Sequence, residues 1–293
     1  MKKVTAIVAT YNRLEFLKEI ITALKNQTYK IDNIIITNNS STDGTEEWLI
    51  NQEGIIVQKQ ENVGSSGGQY TGMKRALETD CDYIWVMDDD VVPESDCLEK
   101  LIANTDEDKI VAPVRYNING SLFWNETIKF NLNNPFQSLW DGINNKDYYN
   151  SQSELVYTEG LTFEGPLIAR SIVEKIGLPE FKFFIYGDDS EYMLRALKNG
   201  YKTYLVKSAK LVRKLPAPNL LKDFNWKHYY IIRNTIAIDK LHGSFWVSKL
   251  RPYFYKYRWM KRATNDEEKK IVIDAFEDGQ NYKIKFSNNA IGK

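Results

Sequence analysis

Residues 55–90 read Ile55-Ile-Val-Gln-Lys-Gln-Glu-Asn62-Val-Gly64-Ser-Ser-Gly67-Gly68-Gln-Tyr70-Thr-Gly72-Met-Lys-Arg-Ala-Leu77-Glu-Thr-Asp-Cys81-Asp-Tyr83-Ile-Trp-Val-Met87-Asp88-Asp89-Asp90. A short β-branched run (Ile55–Gln58), a glycine-rich loop, a helical stretch around Tyr70 to Leu77 and a second apolar run ending in three carboxylates make one strand-helix-strand unit. The same alternation runs upstream. Val4–Ala9 reads as a buried strand, and Leu14, Leu17, Ile20, Ile21 and Leu24 follow helical spacing. Asn33–Thr37 is another strand, and a short helix with Thr42 as its expected cap ends near Trp48 and Leu49. Repeated units of this kind predict an α/β fold with a mostly parallel central sheet flanked by helices. Ligands of such sheets bind beyond the carboxyl ends of the strands. The polar clusters at those ends are Thr10–Arg13, Asn38–Thr45, Glu61–Gly68 and Asp88–Asp90.

Beyond Asp90 the pattern loosens. Ile110–Val114 reads as a strand, and 117–153, rich in Asn, Gly and aromatics, as a surface insertion. Order returns at Leu161–Arg170, with a helix through Ser171–Ile176. A helix opened by Gly187-Asp188-Asp189-Ser190-Glu191 then runs to about Asn199, followed by a strand at Tyr204–Val206. From Lys222 the chain is helical, aromatic and basic.

The 293 residues carry 39 Lys plus Arg against 39 Asp plus Glu, a formal charge of zero. That balance argues against a nucleic-acid binder, which needs surplus positive charge to displace phosphate counterions. Composition is 43% hydrophobic and 27% charged, ordinary for a folded globular chain and unlike a disordered or fibrous one. No apolar run approaches the ~18 to 20 residues that span a bilayer. The start lacks a signal-peptide pattern, so the expected location is cytoplasmic. Cys81 and Cys97 lack metal-ligand spacing and are read as two reduced thiols.

On a strand end Asp88 and Asp90 point to the same side, and two like charges so close need a cation or a proton between them. All-oxygen ligands favour Mg²⁺ or Mn²⁺ bridging to phosphates, although a solvated acidic turn has the same spelling. The segment Asn62–Gly72 is neither a dinucleotide fingerprint nor a P-loop, since Met73 stands where the lysine belongs. It is either a phosphate cradle or a structural turn. One of Asp188 and Asp189 can cap the helix they open, but two adjacent carboxylates plus Glu191 exceed what capping needs, which points to a general base. His228 and His242 lie in no metal-binding or nucleophile pattern.

Taken together and in this order, the clusters resemble family 2 inverting glycosyltransferases of the GT-A fold. The likeness runs from Val4 to about Leu215 and continues through Tyr229-Tyr-Ile-Ile-Arg233-Asn234, which is similar to an element of the bacterial galactofuranosyl- and rhamnosyltransferase branch. It implies a glycosyltransferase domain over 1–218, with a nucleotide-sugar half (about 1–115) and an acceptor and base half (about 116–218), and a helical basic-aromatic region over 219–293. It implies that Thr10, Tyr11 and Arg13 lie beside the nucleotide. Asn38, Asp43 and Asn62 would organise the donor pocket, lined by Gly67 and Gly68. Asp88 and Asp90, with Asp89 between them, would hold a divalent cation against the donor diphosphate, and Asp189, with Asp188 as neighbour or substitute, would deprotonate the acceptor hydroxyl. The implied partners are a nucleotide-diphosphate sugar, UDP- or dTDP-linked, and a saccharide or lipid-linked acceptor of a cell-surface glycan.

Two positions depart from the family pattern. Asn38 stands where the family usually has Asp, and Arg213 falls where a metal-ligating His is often found; a guanidinium cannot ligate a metal. Either Asp88, Asp90 and the diphosphate hold the ion alone, or Arg213 itself neutralises the leaving group. Trp124, Phe184 and Tyr186 are the expected acceptor-stacking rings, with core packing as the alternative. The stretch Trp246–Arg262 fits either an anionic membrane surface or a solvated or subunit-contacting helix face. The rival readings are a sugar nucleotidyltransferase, whose G-x-G-x-R pattern is missing near the first strand, and a catalytically weak or inactive carbohydrate-binding relative.

Overall fold

The computed structural model describes residues 1–216 and 224–283. The nucleotide-side half runs β1 (Val4–Thr10), α1 (Leu14–Lys25), β2 (Asn33–Asn38), α2 (Thr45–Ile50), β3 (Ile55–Lys59), α3 (Gly64–Ala76) and β4 (Tyr83–Asp88). It continues with β5 (Val91–Pro93), α4 (Cys97–Asn104) and β6 (Lys109–Asn117). The following half holds the short pair β7 (Lys129–Phe130) and β8 (Trp140–Asp141), α5 (Lys146–Ser151), β9 (Leu155–Tyr157), β10 (Leu167–Ala169), α6 (Arg170–Ile176), α7 (Asp188–Lys198) and β11 (Lys202–Arg213). Three helices, α8 (Lys227–His242), α9 (Phe245–Met260) and α10 (Asp266–Gln280), follow. The boundary expected at 218/219 lies outside the described residues.

One sheet carries the fold, in the order β3-β2-β1-β4-β10-β6-β11-β5 with β9 on β11. The first four strands are mutually parallel. β10 enters antiparallel to both β4 and β6, and β11 runs parallel to β6. Continuous burial of β1, all seven residues, follows from helices covering both faces.

Three local readings change. The Asn62–Gly72 segment is not a loop leading into a helix near Tyr70; α3 already begins at Gly64. Its glycines are small because the helix lies hard against β1: a Cβ on Gly68 would sit 2.7 Å from the Ala9 Cβ, and one on Gly72 3.1 Å from Ile7. The N-cap of α2 is Gly44 rather than Thr42, and no side chain caps it. Asp43 accepts from the Thr45 hydroxyl at 2.6 Å and from the Leu14 amide at 2.9 Å, serving the starts of two helices at once. The strand expected at Tyr204–Val206 extends over twelve residues, broken by a bulge between Val206 and Lys210.

The C-terminal helices share a small core of Ile232, Ile236, Tyr255, Val272, Ala275 and Phe276. They are fastened to the insertion by Arg251, which is fully buried, pairs with Asp239 at 2.9 Å and donates to the carbonyls of Asn131 and Asn134.

Candidate active site

β4 ends at Asp88, and the three carboxylates diverge in role. Asp89 points inward: its oxygens accept from the Thr10 hydroxyl at 2.7 Å and from Arg13 Nη1 at 2.8 Å. Arg13 Nη1 also reaches Asp90 at 3.0 Å. Thr10 is itself buried, and its hydroxyl joins Arg13 in satisfying the buried Asp89 carboxylate. Asp88, on the other side, accepts from the Gln69 amide at 2.9 Å. Burial, then the neighbouring charges of Asp90, Glu164, Asp89 and Asp188, push Asp88 well above the usual carboxylate range. Asp90 is raised by burial too, with Arg13 and Arg213 opposing and Glu164 adding to the rise.

The second acidic cluster opens α7. Asp188 is buried and is raised to about 7 by desolvation and by its neighbour Asp189. Asp189 is partly open to solvent and is raised to about 6 by desolvation, held from going further by bonds from Ser190 and by the charge of Arg115. Although about a hundred residues apart in sequence, the two clusters share one electrostatic environment, since Asp188 acts on Asp88 and Glu164 acts on Asp88, Asp90 and Asp189.

Glu164 is the group that sequence reasoning missed. It lies between two arginines, accepting from Arg115 Nη1 at 2.7 Å and pairing with Arg213 Nε at 3.0 Å. Arg115 also grips the buried Glu126. Arg213 lies over the Phe123 ring at 4.2 Å, and among the described residues its Nη1 has no partner. The available signal was a lone Glu inside the apolar Leu161–Ala169 run, but nothing in the order of residues names its partners. Gln69, buried and bridging α3 to Asp88, also went unread.

The remaining expected positions divide. Tyr11 is 46% exposed at the mouth of the site. Asn38 is buried, its Oδ1 accepting from the Ser41 amide at 2.9 Å, while among the described residues its amide nitrogen has no partner. Asn62 is exposed and its Oδ1 accepts from the Gly64 amide. Gly67 leaves room for the Val63 side chain at the start of its own helix, and Gly68 serves close contact of α3 with Ala9 of β1. The first turn of α3 is engaged as well, since the Ser66 amide donates to the Phe184 carbonyl at 3.1 Å. Trp124 is corrected: it is buried, 4% exposed, beneath Tyr149 at 5.2 Å, so it packs the insertion and offers no face to a saccharide. Phe184 and Tyr186 are half-buried in the loop before Asp188, and Phe184 stacks on Tyr230 at 4.9 Å.

Asp88 and Asp90 offer two oxygen ligands, and among the described residues no cluster of three or more His, Cys, Asp or Glu side chains could cage a metal. Two carboxylates raised by burial and repulsion fit a hard divalent cation that completes its shell from phosphate and water. Arg213, taken by Glu164, is not among the donors.

This sheet, with acidic clusters at its carboxyl edge, is the GT-A glycosyltransferase architecture. The solved structure of GalNAc-T7 with UDP, GalNAc and Mn²⁺ shares it at a TM-score of 0.65 and 12% identity, over 98% of this chain and 57% of that one. The chain belongs to glycosyl transferase family 2, whose model matches residues 5–162. Among curated relatives, the galactofuranosyltransferase GlfT1 of Mycolicibacterium smegmatis (strain ATCC 700084 / mc(2)155) is 27% identical over 67% of this chain and 66% of that protein. The dTDP-rhamnosyl transferase RfbF of Shigella flexneri is 23% identical over 80% and 78%. The chain thus spans just under two thirds of the GlfT1 relative's length.

Proposed function

We propose that the chain transfers a sugar from a nucleotide-diphosphate donor to a saccharide or lipid-linked hydroxyl, with inversion at the anomeric carbon. The observation that supports this is the electrostatic environment that Asp88, Asp90 and Asp189 share through Glu164. The relatives' names support galactofuranose or rhamnose as the sugar and UDP or dTDP as the carrier. Asp88 and Asp90 would hold the divalent cation, which when bound supplies charge stabilisation to the departing diphosphate. Tyr11, Asn38 and Arg13 face the nucleotide in this reading, Arg13 as the cation that bridges Asp89 and Asp90. Asp43 and Asn62 shape the pocket by setting the starts of α1, α2 and α3.

Asp189 is the base. Its partly open carboxylate, raised to about 6, is ionised at neutral pH yet more basic than an ordinary Asp, which suits proton removal from a hydroxyl. Glu164 adds to that basicity, and Asp189 in turn raises its buried neighbour Asp188. Direct displacement with a single base opposite the leaving group inverts configuration. Residues 1–218 form the transferase unit in this reading, and 219–293 an accessory region.

The accessory region also supports a peripheral membrane contact. On α9 the residues Trp246, Leu250, Tyr253 and Tyr257 are exposed at helical spacing, accompanied by Lys249, Arg258 and Lys261, and the helix carries no acidic residue. Interfacial helices combine apolar rings with basic residues in this way. No helix among the described residues is long and apolar enough to cross a membrane.

A thermal-shift panel of UDP, dTDP and GDP, each with and without Mn²⁺, tests the reading. Stabilisation by UDP or dTDP that requires Mn²⁺ is expected, and no response to any nucleotide would overturn it.

A further inference from the structure

The loop between the 3-10 turn at Phe181–Phe183 and α7 has an unusual backbone. Phe184 has φ 64° and ψ −59°, and the Ile185 amide donates to the Phe183 carbonyl at 2.7 Å, which makes Phe184 the centre of a positive-φ γ-turn. Tyr186 follows at φ 68° and Gly187 at φ 82°. Two non-glycine residues in the left-handed region within three positions are costly and persist only where the surroundings over-determine them.

Those surroundings are two adjacent side chains of α8. The Asn234 amide nitrogen donates to the carbonyls of Phe183 at 3.0 Å, Ile185 at 3.0 Å and Tyr186 at 2.7 Å. Arg233 Nη2 donates to the carbonyls of Lys182 at 2.7 Å and Phe183 at 3.0 Å. Arg233 Nε donates to the Asn234 Oδ1 at 2.8 Å, so the amide cannot flip. The carbonyl left over, that of Phe184, takes the Ser66 amide at the start of α3. Five consecutive carbonyls, 182 to 186, are thus held from outside the loop. Asn234 is 1% exposed, beyond the reach of bulk water as a substitute. Docking α8 alone would need one or two such bonds. This arrangement instead dictates every peptide plane leading into Asp188 and Asp189.

We infer that Asn234, oriented by Arg233, is a positioning residue: it locks the Phe184–Tyr186 turn into the acceptor-facing wall of the site and sets the approach of Asp189 to the acceptor hydroxyl. The inference rests on the glycosyl-transfer reading and adds to it the element that orders the acceptor side. It also gives α8 a role in chemistry carried out on the other half of the chain. Among the described residues no hydrogen bond joins Tyr11, Arg13, Asn38, Asp43 or Asn62 to Arg233 or to the amide of Asn234, so the test reads the two substrates apart.

The experiment uses the full chain, with UDP and Mn²⁺ as the donor-side probe and octyl galactoside and octyl rhamnoside as acceptor probes. In Asn234→Ala, hydrogen exchange of residues 181–187 should accelerate at least ten-fold while β1 stays unchanged, and acceptor KM should rise at least ten-fold with UDP affinity within two-fold of wild type. Arg233→Lys should retain more of the acceptor response than Arg233→Ala, because it keeps a donor to the same carbonyls. In a Phe184→Ala background, Asn234→Ala should cost less than three-fold, since the turn it holds has lost its ring. Unchanged exchange at 181–187 overturns the clamp whatever the activity. Equal loss of UDP affinity and acceptor affinity overturns it as well, because that is the mark of general destabilisation. If Asn234→Ala does not fold, the Arg233→Ala and Arg233→Lys pair decides by the same readouts. A wild-type chain that binds no nucleotide overturns the transfer reading, while the exchange result still rules on the clamp.

Discussion

Replacing Asp189 by Asn is the sharpest perturbation of the proposed chemistry. The substitution keeps shape and the contact with Ser190, whose amide donates to Asp189 Oδ1 at 2.5 Å, but removes the proton acceptor. A positioned carboxylate base contributes about 10²- to 10⁴-fold, so turnover should fall by that factor while UDP affinity stays within two-fold. The wild-type pH profile carries a second, independent magnitude. A base raised to about 6 is about nine-tenths ionised at pH 7 and about one-tenth ionised at pH 5. The working form is the carboxylate, so kcat/KM should fall about ten-fold between pH 7 and pH 5, where an unperturbed aspartate would lose almost nothing. The assay is release of free UDP or dTDP in the presence of acceptor and Mn²⁺, with fold and nucleotide affinity checked at each pH. Turnover of the Asn variant above a tenth of wild type would refute the base assignment. A wild-type acid limb near pH 4 would refute the claim that desolvation sets the basicity of Asp189.

The buried Asp188 should cost stability. With its pKa raised from 3.8 to about 7, the folded state is favoured by protonation, so stability is full below about pH 4 and is lost as pH rises through 7. Asp188→Asn should therefore raise folding stability at pH 8, by up to about 4 kcal/mol as a ceiling, with almost no gain at pH 4; the direction of the Tm change in calorimetric scans at the two pH values checks the sign. Asp90→Ala should weaken UDP binding measured by calorimetry with Mn²⁺ and lower turnover together, unlike the Asp189 variant; unaltered binding would remove Asp90 from the metal site. Arg251→Ala strands Asp239 in the core, both side chains being fully buried, and should cost about 3–5 kcal/mol in urea unfolding; a loss under 1 kcal/mol would contradict the burial. Trp246→Ser with Tyr253→Ser should abolish co-sedimentation with vesicles containing anionic lipid while leaving UDP binding intact. Wild-type chain that stays in the supernatant at low salt would end the membrane reading.

What the sequence made legible was local. The strands Val4–Thr10 and Tyr83–Asp88 could be read because each is a short apolar run closed by polar residues, and the fold places such ends together by topology alone. The acidic cluster at 88–90 was legible for the same reason, and 188–189 because two adjacent carboxylates plus Glu191 exceed what a helix cap needs. Within the first cluster, however, alternation assigns Asp88 and Asp90 to one side and says nothing of what meets Asp89. Its partners, Thr10 and Arg13, come from the end of another strand, so their bonds to Asp89 could not be read from the order of residues. Trp124 failed for a related reason: an aromatic in an aperiodic insertion carries no record of which face is covered, and Tyr149 covers this one.

Gly67, Gly68 and Gly72 show where one spelling serves two ends. Glycines before a helix fit an anion cradle and fit close backbone packing equally well. Only the 2.7 Å separation from Ala9 identifies Gly68 as a packing residue. Glu164, Arg115 and Arg213 lie furthest from legibility, because their meaning is mutual. Each is a charge inside apolar sequence that would be unfavourable alone, and it is tolerated because the other two arrive from β6, β11 and the segment before β10. The same logic makes Arg213 a poor candidate for neutralising a leaving group unaided. Its Nε is paired with Glu164, so the charge it presents to Asp90 and to any phosphate nearby is already partly compensated. In the proposed reading, the stabilisation of a departing diphosphate would therefore rest on a cation held by Asp88 and Asp90, the two carboxylates that burial and neighbouring charge raise.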